Sequence, residues 1–228
     1  MFDIIYNVLT YNRAEMAASS IGQLIEHQQP NSLIDVIDDC STEDISPVRS
    51  LFKMQPQPAT KQRRLTVNER NLGLEINHIC KLNDPIYDEQ EFVYLADNDV
   101  EYSRSFGREL QRLKQFMTDD PAIFASTLFN VHNDWHLETE DYGVGHVVKT
   151  SFGGVSILIR AKDFRDAMDF YLSPEYLGIR GWDWAVCHFA QLQKKKMVSS
   201  RMSFVKHIGL YGVNTSPTNN DIADNFVA

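Results

Sequence analysis

Short apolar runs alternate along this chain with stretches whose apolar positions recur every three or four residues. Ile4 to Thr10 is rich in β formers, and after Tyr11-Asn12-Arg13 comes a helical stripe over 14–27 carrying Met16, Ile21, Leu24 and Ile25. The pattern repeats: residues 33–37 (LIDVI) predict a second strand, and Ser41 or Thr42 offers a helix cap ahead of Glu43-Asp44. Two prolines break any period over 54–63, which predicts a loop, and 64–68 predicts a third strand. Asn71-Leu-Gly73 predicts a turn into a helix marked by Leu74, Ile76, Ile79 and Leu82. The apolar run FVYLA then leads directly into Asp97-Asn98-Asp99.

Beyond that point Phe106, Leu110, Leu113, Phe116 and Met117 mark a helix ending near Asp120-Pro121, and residues 122–128 predict a strand. Residues 129–151 have no clear period and predict a long functional loop or an irregular hairpin. A strand over 153–159 and a helix over 161–171 follow. A second helix opens at Gly181-Trp182-Asp183-Trp184 and runs to Leu192, with Lys194 to Lys196 as its solvated end. Residues 204–209 close the ordered part, and the polar tail from 215 is loose or laid across the surface. Strands alternating with helices predict an α/β fold, a mixed but mostly parallel central sheet flanked by helices with ligand groups at the carboxyl ends of its strands.

The 228 residues are 43% hydrophobic and 23% charged, as in an ordinary globular protein. One domain is expected over about 1–214, with 215–228 as a tail. The net charge of −9 weighs against a clamp on duplex nucleic acid. Cys40, Cys80 and Cys187 are scattered, which indicates neither a disulfide framework nor a structural zinc site. The sequence contains no membrane-length apolar run and its first residues lack a signal-peptide pattern, so a cytoplasmic protein without an integral membrane segment is expected.

In an extended chain residues i and i+2 face one side, so Asp97 and Asp99 can offer their oxygens to one hard cation that completes its shell with a substrate's phosphates. An acidic loop at a strand end is the plain alternative. His132 and His136 have helical spacing, but no third ligand accompanies them and their neighbours suit a loop.

Taken in order, Thr10-Tyr-Asn-Arg13, Asp38-Asp39-x-Ser-Thr, Asn71-x-Gly73, Asp97-Asn-Asp99, Gly153-Gly154, Gly181-Trp-Asp-Trp184 and His207-Ile-Gly209 resemble the family 2 type glycosyltransferases of the GT-A fold over about residues 3–212. The resemblance implies transfer of a sugar from a nucleotide-sugar donor, with a UDP-sugar first among donors, to an acceptor hydroxyl with the help of Mn²⁺ or Mg²⁺. A sugar-nucleotide-binding protein of the same fold without turnover is the alternative.

The resemblance also implies a division of the domain, nucleotide-binding over about 1–100 and acceptor-binding and catalytic over about 101–214, and roles within it. Asp99 is the direct metal ligand, Asp97 reaches the ribose or a metal-bound water, and His207 completes the metal shell or contacts the diphosphate. Thr10, Asn12 and Arg13 border the nucleotide, Asp39 reads the base edge with Asp38 as helper, and Asn71 and Gly73 turn beside the diphosphate. Asp183 is the catalytic base, and Gly154, Trp182 and Trp184 lie by the sugars. The chain departs from the family in carrying Glu75-Ile-Asn77-His78 where an Arg-Asn pair is usual, which leaves Arg70 or Lys81 to meet the phosphates. The acceptor is a glycan, a protein side chain or a hydroxylated DNA base, the last kept open by Lys61, Arg63, Arg64 and the lysines at 194–196.

Overall fold

The computed structural model describes residues 2–53, 60–88, 90–176, 181–209, 223 and 225–228. Its first half runs β1 (Ile4–Thr10), α1 (Ala14–His27), β2 (Ser32–Asp38), α2 (Ser46–Lys53), β3 (Lys61–Val67), α3 (Leu74–Leu82), a 3-10 turn at Pro85–Tyr87, β4 (Phe92–Ala96), β5 (Val100–Tyr102) and α4 (Phe106–Asp119). The second half runs β6 (Ile123–Thr127), β7 (Glu138–Asp141), β8 (His146–Lys149), β9 (Ser156–Arg160), α5 (Ala161–Tyr171), α6 (Trp182–Leu192), β10 (Lys196–Ser200) and β11 (Val205–His207).

Nine strands form one sheet in the order β3-β2-β1-β4-β9-β6-β10-β8-β7, and the pairings leave seven of them pointing one way with β9 and β8 reversed. The inner strands read as unbroken apolar runs because both faces are covered. Ile4, Tyr6, Val8, Tyr94 and Leu158 pack toward Ile21 and Leu24 of α1 and Leu110 and Leu113 of α4. Their neighbours Ile5, Val93, Leu95 and Ile157 pack toward Phe164 of α5 and Val186 and Ala190 of α6.

Three expectations change. The second helix starts at Ser46, where Asp44 accepts the Ser46 N–H at 2.9 Å, because Ser41 and Thr42 are held instead by Asp38 and Asn12. β3 begins at Lys61, inside the expected loop; it is the sheet's edge strand, where charged residues are the usual protection. The lysine run ends not in solvent but in β10, which pairs parallel to β6 and whose Ser199 and Ser200 are buried. The region 129–151 takes the second of its two expected forms, an irregular hairpin of β7 and β8 that follows a segment without regular structure. Of the tail, residues 210–222 and 224 lie outside the described residues, while Phe226 bridges to Ser203 on the protein surface.

Lys81 is withdrawn from any phosphate role. It points into the sheet, 4% exposed, onto Asp35 of β2, which also takes two bonds from Arg64 at 2.8 and 2.7 Å and one from the Tyr87 hydroxyl at 2.9 Å. Removing one member of a buried ion pair costs about 3–5 kcal/mol, and Asp35 keeps two partners, so Lys81→Met should lower unfolding free energy by about 3 kcal/mol. Urea denaturation checks this, with the slope of the transition unchanged.

Candidate active site

The carboxyl ends of β1, β2, β3 and β4 meet along one rim. After Thr10 the backbone turns through left-handed φ of 56° at both Asn12 and Arg13, which starts α1 and sends the Arg13 side chain across toward β4. The Asn12 N–H donates to Ser41 Oγ at 2.7 Å, its side-chain oxygen accepts from the Thr42 N–H at 2.9 Å, and Asp38 accepts from the Ser41 N–H at 3.0 Å. Thr10 Oγ1 accepts from Asn98 at 2.8 Å, which ties the first loop to the acidic one.

Asp39 stands further along the rim. Its carboxylate accepts from the Asn68 side chain and from the Leu72 and Gly73 N–H groups, each at 2.8 Å. Burial pushes its carboxyl up, but this set of donors outweighs burial and holds it below the ordinary carboxylate value. The turn it supports needs glycine, since Gly73 has φ +82°, and Asn71 is exposed beside it.

The acidic pair acquires its third member through a long-range pairing. β11 runs antiparallel to β5, and its register sets His207 opposite Val100, next to Asp99. One ligand atom from each of Asp97, Asp99 and His207 falls within 4.8 Å of the others. His207 Nε2 lies 3.3 Å from Asp99 Oδ1, and the Arg13 guanidinium rests on Asp99 Oδ2. Backbone passes equally close: a Cβ on Gly209 would sit 1.9 Å from Asp99 Oδ2.

Burial, then the Asp99 charge, pushes the Asp97 carboxyl up to about 7, with Asp183 adding and His207 and Arg13 opposing. At Asp99 burial also pushes up, but His207 and Arg13 outweigh it and keep the group ionised. His207 is held above its ordinary value because its bond to Asp99 outweighs burial. Two carboxylates and an imidazole make a donor set that fits Mn²⁺ or Mg²⁺, and the buried His207 Nδ1 has no hydrogen-bond partner among the described residues.

Asp183 lies in the first turn of α6, where its Oδ1 accepts the Trp184 N–H at 2.9 Å and burial pushes its carboxyl up. Gly154 permits the approach of this helix: a Cβ there would lie 2.9 Å from the Trp182 ring and 3.6 Å from Asp183 Cβ. Trp182 does not offer a face to a sugar. It is 4% exposed, and its ring centroid lies 4.4 Å from that of His78 with the planes tilted by 55°, in the core between α3 and α6. Trp184 is half-buried beside His136 and Trp135.

The two histidines of the 132–136 segment separate: His136 is buried on Ser151 at 2.8 Å, while His132 is half-exposed, 3.5 Å from Glu138. No metal cluster other than Asp97, Asp99 and His207 occurs among the described residues. His78 is buried with its pKa pushed down to about 3 by desolvation, so α3 contributes neither His78 nor Lys81 to phosphates, and the basic group at the cluster is Arg13. Sequence reasoning missed the Arg13–Asp99 contact, which depends on two left-handed residues in succession. It missed Trp135 as well, which sits in the part of the chain without a period.

Fold and site together define the class: the chain has the GT-A fold of the nucleotide-sugar glycosyltransferases. Comparison with protein-family models and with curated proteins gives no match. Among solved structures it is similar to the mannosyltransferase PcManGT from Pyrobaculum calidifontis in complex with GDP-Man and Mn²⁺ (16% identity, TM-score 0.58, 86% of this chain and 53% of that one). It is also similar to GalNAc-T7 with UDP, GalNAc and Mn²⁺ (13% identity, TM-score 0.65, 96% and 45%) and to residues 1–349 of S. aureus TarS (17% identity, TM-score 0.62, 92% and 61%). The chain thus spans 45–61% of the length of these structures. No helix among the described residues is long and apolar enough to cross a membrane.

Proposed function

We propose that this chain is a metal-dependent, inverting glycosyltransferase that moves a sugar from a UDP-sugar to an acceptor hydroxyl. The observation that carries this reading is the convergence of Asp97, Asp99 and His207 with Asp183 at the carboxyl edge of the sheet. A protein that only binds nucleotide sugars has no use for a buried carboxylate at the start of α6.

Asp99 and His207 would hold the cation, with Asp97 on the ribose and on the water shell. A divalent ion bound there supplies positive charge to the departing diphosphate. Arg13, already on Asp99, adds the cationic group that α3 lacks. Thr10, Asn12, Asp38, Asp39, Asn71 and Gly73 form the nucleotide rim.

Asp183 accepts the acceptor's hydroxyl proton while that oxygen bonds to the anomeric carbon. The bond to the diphosphate oxygen breaks with its electron pair on the leaving group, so the configuration inverts. Burial raises the Asp183 carboxyl toward the range where a base works best near neutrality.

A DNA acceptor is disfavoured because several of the basic residues that suggested it are engaged. Arg64 binds Asp35 and Asp84, Lys195 binds Asp163 at 3.1 Å and Lys196 binds Glu140 at 3.0 Å.

The cation needs Asp97 ionised and His207 neutral, and both groups are held above their ordinary values, so Mn²⁺ affinity measured by calorimetry with UDP should rise with pH from about pH 5 through neutrality. In Asp99→Ala, UDP binding should lose its dependence on Mn²⁺. Unchanged Mn²⁺ dependence in that variant would remove Asp99 as ligand.

A further inference from the structure

A cleft opens along α6 beside Trp184, the residue after Asp183, and none of Asp97, Asp99 and His207 lines it. It has a volume of about 300 Å³ and is lined by Trp135, Thr150, Tyr176, Trp184, His188 and Gln191 among others. Trp184, His188 and Gln191 stand four and three residues apart on α6 and so share one helix face. The Trp135 ring meets that of Trp184 edge to face, with centroids 6.1 Å apart and planes at 88°, which makes a corner of two indoles. Trp135 is 62% exposed, an unusual position for so large an apolar ring.

The chemistry of the lining selects an occupant. Among the described residues its lining includes no Asp, Glu, Lys or Arg, so those residues offer no charge to a phosphate or a charged peptide. Hydroxyl, amide and imidazole groups interrupt the aromatic surface, which suits neither a lipid tail nor a purely apolar group. A pyranose ring has both properties at once: C–H faces that pack on indoles and a rim of hydroxyls for Thr150, His188 and Gln191. The cleft volume is at the lower end of the roughly 300–1,000 Å³ found for small-molecule sites, the scale of one or two sugar rings.

Position completes the argument. The N–H of Trp184 is bonded to the Asp183 carboxylate at 2.9 Å, so the cleft begins one residue from the base. Resting on the glycosyltransferase reading above, we propose that the Trp135–Trp184 cleft is a second acceptor subsite. It holds the sugar next to the one whose hydroxyl reacts, and the acceptor is therefore a glycan of at least two residues rather than a protein side chain or a DNA base.

The test uses tryptophan fluorescence of the full chain, without nucleotide, titrated with cellobiose, maltose, lactose, mannobiose and chitobiose and with their monosaccharides. At least one disaccharide should bind roughly tenfold more tightly than its monosaccharide, the scale of one added ring-on-indole contact. Trp135→Ala should weaken that binding by roughly tenfold, and Trp135→Phe, which keeps a ring, by less than about threefold. Disaccharides binding no better than monosaccharides, or an unaffected Trp135→Ala variant, would overturn the proposal. UDP binding with Mn²⁺, measured in parallel, separates the two readings. If UDP fails while the Trp135-dependent disaccharide binds, the subsite stands and the transferase reading falls; if UDP binds and no disaccharide does, the reverse holds.

Discussion

Asp183→Asn is expected to slow sugar transfer by roughly 10²–10⁴-fold, the usual contribution of a positioned general base, while UDP binding with Mn²⁺ stays within about twofold. The substitution keeps shape and polarity. Asn retains an oxygen for the Trp184 N–H now bonded to Asp183 at 2.9 Å, so the start of α6 and the packing of Gly154 against Trp182 are preserved. What disappears is the group that takes the proton. Because burial raises the Asp183 carboxyl, the wild-type rate should climb with pH as that carboxyl ionises, and the variant should lose this limb. Single-turnover transfer measured across pH distinguishes the two, and transfer at the wild-type rate in the variant removes Asp183 as base.

Gly209→Ala should be almost as damaging, through a different step. The added methyl would fall 1.9 Å from Asp99 Oδ2 and 3.0 Å from the Arg13 guanidinium, so the Asp99 carboxylate must shift. Asp99 is hemmed in by His207 on its other oxygen, and its main-chain carbonyl accepts the Ile208 N–H at 2.9 Å. A displaced ligand costs at least what a lost outer-shell partner costs, so Mn²⁺-dependent UDP affinity should fall roughly 10–100-fold. Metal-independent folding should change little, because the clash concerns one carboxylate and one guanidinium and no residue of the apolar core. Calorimetry with and without Mn²⁺ reads the difference; an unchanged metal-dependent affinity would mean that Asp99 does not carry the cation.

The sheet's centre was legible because its strands are buried on both faces and read as unbroken apolar runs; β1, α1 and α5 fall at the positions the pattern predicts. The pattern weakens wherever one of those conditions fails. β3 is an edge strand with Lys61, Arg63 and Arg64, which imitates a loop, and β10 is short with two buried serines. β5 and β11 have three residues each, too few for any period, yet their pairing is what brings His207 to Asp99. The acidic pair itself was legible from its place after β4, whereas its partner Arg13 was visible only as a member of the first loop. Trp182 and Trp184 illustrate a further limit: positions i and i+2 of a helix do not share a face, so one indole enters the core and the other reaches the cleft.

Thermal unfolding with UDP and Mn²⁺, singly and together, tests most directly whether Asp99 and His207, with Asp97 on the water shell, hold a divalent cation that bridges to a nucleoside diphosphate. At about 100 times the dissociation constant, a bound ligand adds about 2.7 kcal/mol, which for a chain of this size raises Tm by about 5–10 °C. UDP and Mn²⁺ together should give a shift of that size and each alone far less, with the excess lost in Asp99→Ala. A combined shift no larger than the sum of the separate ones would contradict the metal bridge.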